Sequence, residues 1–145
     1  MTGWRVGFAV GNAQLIGALG TVKTNIDSGV FQAVQEAAIA ALTGSDEILH
    51  QYCAIYKERR DLMVMALRAL GLVCEVPRAT FYLWAQTPPG YTSVSFTERV
   101  LQKTGVVITP GSGFGKSGEG YVRFSLTVPS ERLREAVERI KALRL

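Results

Sequence analysis

The stretch "VVITPGSGFGKSGEGYVRFSL", residues 106–126, decides how the second half of the chain is read. Its glycines and its Gly115-Lys116-Ser117 triplet suggest a phosphate-cradling loop. The spacing argues against one. Such a loop needs four residues between its first glycine and the Gly-Lys-Ser, and a helix whose N-terminus faces the phosphate. Only Ser112, Gly113 and Phe114 separate Gly111 from Gly115, and the position before Gly111 is Pro110, which has no N–H to donate. Downstream, "GEGYVRFSLTV" alternates and is rich in β-formers, so a strand is predicted where a helix would be required. The segment therefore reads as a loop joining two strands. The second strand turns Tyr121, Arg123 and Ser125 to one face and Val122, Phe124 and Leu126 to the other.

Working outward, the pattern is α/β. "VCEVPRATFYLWAQ" supplies one or two further strands, and "TSVSFTERVLQKTG" a helix whose Ser95 and Glu98 have capping-box spacing and which Gly105 closes. Ser130 opens a last helix with an apolar stripe of Leu133, Val137, Ile140 and Leu143 and an i,i+4 pair, Glu135–Arg139. Before these lies a long helix that Ser45 can cap. It keeps one apolar face from Ile48 to Leu70, stops at Gly71 and is about 37 Å long, which predicts that it runs from one body to another. Further upstream, "GWRVGFAVG" is expected to be a strand and "AQLIGAL" a short helical piece. An Ala-rich, almost uncharged helix from Val30 to Leu42 should be buried on most sides.

Composition narrows the classes. Of 145 residues 48% are hydrophobic and 19% charged, which excludes a disordered chain. The net charge of +4 is spread among acids, as in "SERLREAVERIK", so nucleic acid is not an expected partner. No apolar run is long enough for a membrane span, and the N-terminus does not read as a signal peptide. A cytoplasmic protein is expected, with Cys53 and Cys74 as free buried thiols. The single histidine, His50, has no metal-ligand spacing around it, and no metal is expected.

On pattern alone three places merit suspicion. Arg5 sits beside a glycine in the first expected strand, Arg123 lies mid-strand, and Asn25 and Ser28 stand at what reads as the start of a helix. An ordinary solvated or paired arginine and an ordinary helix cap are the bland accounts of these.

Four motifs, "MTGWRVGFAVGN", "NIDSGVFQAVQEAAIAAL", "PRATFYLWAQTPPGYTS" and "TGVVITPGSGFGKSGEGYVRFSLTVP", together resemble the pyridoxal-phosphate aminotransferases of fold type I. Within them, the branch acting on LL-diaminopimelate and its aspartate and aromatic relatives is the most similar. The resemblance covers all 145 residues in order. It implies that Arg5 binds the phosphate of pyridoxal 5'-phosphate, that Arg123 clamps the substrate α-carboxylate, and that Asn25 reaches the active site of the neighbouring subunit of a homodimer. It implies a division into residues 1–45, the end of the large cofactor-binding domain with its last strand and helices, 46–71, a connecting helix, and 72–145, the small C-terminal domain. The family's Schiff-base lysine, and the acid that pairs with the pyridine nitrogen, are expected upstream of Met1. Lys23, Lys57, Lys103, Lys116 and Lys141 match no such motif, so catalysis by these 145 residues alone is not expected. The implied reaction moves an amino group from an amino acid to a 2-oxo acid, with a place in lysine biosynthesis. LL-2,6-diaminopimelate is the favoured donor; aspartate, alanine and aromatic amino acids are alternatives. The competing class is a free-standing, non-catalytic α/β module that binds a carboxylate or associates with itself. The Ala-rich helix discriminates, because a stand-alone module would cover its apolar surface.

Overall fold

The computed structural model describes residues 3–143 and divides into two compact units, residues 1–47 and 48–145. In the first unit two helices are formed, α1 (Ala13–Thr24) and α2 (Gln32–Thr43). Asn12 starts α1: its side-chain oxygen accepts from the backbone N–H of Gln14 at 2.9 Å. This N-cap satisfies a donor that the helix itself cannot. The expected strand over "GWRVGFAVG" is not formed; residues 5–10 have no regular secondary structure and pair with no strand among the described residues. The expectation of a buried α2 is also overturned. Neither α1 nor α2 has a buried residue, and Leu15, Phe31 and Leu42 are exposed. Their apolar residues are at most half-buried, Ile16, Val34, Ala37 and Ala38 among them.

The second unit holds the core. The helix α3 (Glu47–Ala69) starts under the Ser45 hydroxyl, which accepts from Glu47 N–H at 3.1 Å. It is 23 residues long, about 34 Å at the usual rise. Only its last third is buried, through Met63, Val64, Ala66 and Leu67. Gly71, at φ 77°, then takes the left-handed turn that a side chain resists.

A three-stranded antiparallel sheet follows, β1 (Tyr82–Gln86), β2 (Thr109–Pro110) and β3 (Tyr121–Ser125), in the order β1-β3-β2. Leu83, Ala85, Val122 and Phe124 face inward, as the period of two requires. They meet α3, α4 (Ser93–Thr104) and α5 (Ser130–Lys141), whose Phe96, Val100, Leu133, Val137 and Ile140 complete one cluster. The capping box of α4 is Thr92 with Ser95, not Ser95 with Glu98: each hydroxyl accepts from the other residue's backbone N–H, at 3.1 and 3.0 Å. The helix thus begins one turn earlier than its Ser-x-x-Glu spacing suggests. Arg59 ties α3 to the chain between β3 and α5, donating to Leu126 O and to Ser130 Oγ, both at 3.1 Å. Cys74 is buried, whereas Cys53 is exposed on the solvent side of α3.

Candidate functional site

The outer face of the sheet carries the chemistry. Antiparallel register sets Trp84 and Thr109 opposite Arg123, Tyr82 opposite Ser125 and Gln86 opposite Tyr121. Because opposed residues share a face, Arg123 stands among aromatic side chains instead of acids. Its guanidinium carbon lies 4.0 Å from the centre of the Tyr82 ring and 4.2 Å from that of Phe114. Phe114 in turn meets Trp84 edge-on at 5.4 Å. Each ring face attracts the cation by about 0.5–2 kcal/mol, the more so as water is excluded.

Stacking leaves Arg123 without a hydrogen-bonding or ionic partner among the described residues. Its Nε is buried and unpaired, while the terminal nitrogens reach the surface. A permanently charged group stacked on aromatic rings, with free donors at one end, has the chemistry to take an anion. Two parallel N–H groups at that end match the two oxygens of a carboxylate.

The glycine loop holds Phe114 in place. Residues 111–114 and 116–118 form two short 3₁₀ turns, and β3 follows directly, so no helix N-terminus faces Lys116. Gly111 and Gly118 touch backbone to backbone: a Cβ on either would overlap the other's carbonyl oxygen. Glu119 and Ser93 fasten the loop to the start of α4. The Glu119 carboxylate accepts from Ser93 N–H at 2.8 Å and Gly120 N–H at 3.1 Å, and the Ser93 hydroxyl accepts from Gly120 N–H at 3.0 Å. The backbone N–H of Ser93, then that of Gly120, hold the Glu119 carboxyl below its ordinary value of 4.5.

The other two sequence candidates lie in the first unit. Arg5 is exposed, has its backbone in the left-handed region at φ 53°, and makes no internal hydrogen bond or ion pair among the described residues. Its guanidinium is thus uncommitted, which fits a phosphate group. Asn25 corrects the reading of its segment. It is not at a helix start but at the C-terminal cap of α1, where its Nδ2 donates to Thr21 O at 2.7 Å. That end of a helix carries the negative pole and repels anions. The nearby Asp27 pairs with Lys23 and accepts from Gly29 N–H at 2.8 Å.

Sequence reading missed Tyr82, Phe114, Ser93 and Glu119. Tyr82 could have been found, since period two puts it on Trp84's face. Phe114 sits in an aperiodic loop and gives no such signal.

Comparison with known proteins identifies the family. Residues 1–140 match the family "Aminotransferase class I and II". The chain is 59% identical over 143 residues to the LL-diaminopimelate aminotransferase of Oleidesulfovibrio alaskensis, and 55% over 140 residues to that of Dehalococcoides mccartyi. It covers 99% and 97% of itself in these matches, but spans only 37% and 36% of the two relatives' length. Among solved structures, an aminotransferase from Staphylococcus aureus superposes with a TM-score of 0.88 at 39% identity. A probable N-succinyldiaminopimelate aminotransferase from Thermus thermophilus superposes with 0.87 at 38%. Each of these two covers 97% of this chain and 38% of its own. The chain belongs to the class I and II aminotransferases.

Proposed function

We propose that this chain is the C-terminal, carboxylate-gripping part of an aminotransferase that uses LL-2,6-diaminopimelate as amino donor and a 2-oxo acid as acceptor. The observation that carries the reading is Arg123, a cation stacked on Tyr82 and Phe114 with no acid beside it among the described residues. Its open end would hold the substrate α-carboxylate through two parallel hydrogen bonds, fixing the amino acid's orientation before any bond changes. Pyridoxal 5'-phosphate, when bound, supplies the electron sink that the chemistry requires. Arg5 would hold its phosphate by charge and planar donors. Asn25 is proposed to reach the neighbouring subunit's site in a homodimer, by family resemblance. Residues 1–45 belong on this reading to the large domain, 46–71 to a connecting helix and 72–145 to the small domain. The exposed faces of α1 and α2 support a part that others cover, and count against a free-standing module. A cytoplasmic location fits the biosynthetic role; no helix among the described residues is long and apolar enough to cross a membrane.

A segment swap tests the proposal. This chain would replace the matching 143 residues of the Oleidesulfovibrio alaskensis relative. The chimera, offered LL-diaminopimelate, aspartate, alanine and phenylalanine in turn, should transfer the amino group of LL-diaminopimelate within about tenfold of the parent's rate. A correctly folded, cofactor-loaded chimera that leaves LL-diaminopimelate untouched would refute it.

A further inference from the structure

We infer that Phe114 is a positioning residue for the carboxylate clamp: with Tyr82 it stacks on the Arg123 guanidinium and fixes its plane, so that the end bearing the two terminal nitrogens is the one presented to a ligand. The inference rests on the reading of Arg123 as the carboxylate receptor.

Three observations lead to it. Tyr82, on the neighbouring strand, and Phe114, in the loop, both stack on the guanidinium at nearly equal distances. Nε is sealed from solvent without a partner, so the two sides of the guanidinium are not equivalent as donors. Phe114 in turn meets Trp84 edge-on, and the loop that carries it is closed by the Gly111–Gly118 backbone contact. A long arginine side chain has many rotamers, and ordering them at the moment of binding costs affinity. Two rings that fix the plane beforehand remove part of that cost. Phe114 contributes no hydrogen bond and would touch no reacting atom. At 51% exposure it is not a core residue, and a structural role in the hydrophobic cluster does not explain it.

The side-chain Nε–H signal of Arg123, in ¹⁵N-labelled full 145-residue chain, tests this directly. In the wild type the signal should be shifted upfield by the two rings and exchange slowly with water. Acetate should move it in a saturable way, and acetamide should not. In Phe114→Leu the upfield shift should shrink and Nε–H exchange should quicken about tenfold. Acetate binding should then weaken about fivefold. Phe114→Tyr should restore both. Two failures are distinguishable. A wild-type signal indifferent to acetate overturns the clamp itself. A wild-type response that Phe114→Leu reproduces unchanged, in exchange rate and in acetate affinity, overturns the role of Phe114 and leaves the clamp standing. Should Phe114→Leu disturb the backbone spectrum, Trp84→Leu, which removes only the ring edge-on to Phe114, is expected to loosen Arg123 in the same direction; no change there also overturns the inference.

Discussion

At Arg123 the surrounding side chains define chemistry more sharply than the residue does. The same arginine on a strand facing acids would be a surface ion pair worth little. Stacked on Tyr82 and Phe114 it is a charge held by two rings with free donors. That Arg123 lies on the outer face was legible from the alternation Val122, Phe124, Leu126; that it lacks an acid was not, because cross-strand register brings in residues about 40 positions away. The backbone just before Tyr82 stores strain. Thr80 adopts φ 73°, a conformation costly for a β-branched residue, and its side chain is exposed. Thr80→Gly should therefore stabilise the fold by about 0.5–1 kcal/mol in urea denaturation, relief of strain outweighing the entropy of glycine. Destabilisation would show that the conformation is held without strain.

The loop of residues 111–120 is the element through which the sheet presents the site. Its glycines were legible as a loop, and the absence of a following helix was legible too. Their purpose was not, since a backbone-to-backbone approach leaves no periodic trace. Gly118→Ala should force Gly111 and Gly118 apart and cost about 1–3 kcal/mol, read as a lower thermal midpoint. An unchanged midpoint would mean that the loop relaxes freely. Glu119 gives the element a pH dependence. Two backbone N–H groups stabilise its charged form and lower its folded value. A lowered carboxylate contributes stability that is complete above its unfolded value near 4.5 and is lost as pH falls through the folded one. Glu119→Gln should therefore be less stable than wild type at neutral pH, and the gap should narrow in acid. A gap that widens on acidification would contradict the assignment.

Across the whole molecule the two units differ in kind. The second has a closed core from Met63 to Leu143; the first has two helices with no buried residue. Hydrogen exchange should register this: amides of Ala13–Thr24 and Gln32–Thr43 should exchange nearly as fast as in isolated helices, while those of Val122 and Phe124 open only with global unfolding. Comparable protection in both units would overturn the contrast. The α/β class, the long helix and the final helix stripe were legible because each rests on a repeat of two or 3.6 residues. The failed strand at residues 5–10 and the misread burial of α2 share one cause: an apolar pattern announces that a face is to be covered but not by what. In the segment-swap chimera, the specificity constant for LL-diaminopimelate with Arg123 intact and with Arg123→Ala measures the clamp most directly. Loss of a bidentate charged partner should lower it at least about a hundredfold. A folded, cofactor-loaded Arg123→Ala chimera with an unchanged specificity constant would contradict a carboxylate clamp at this position.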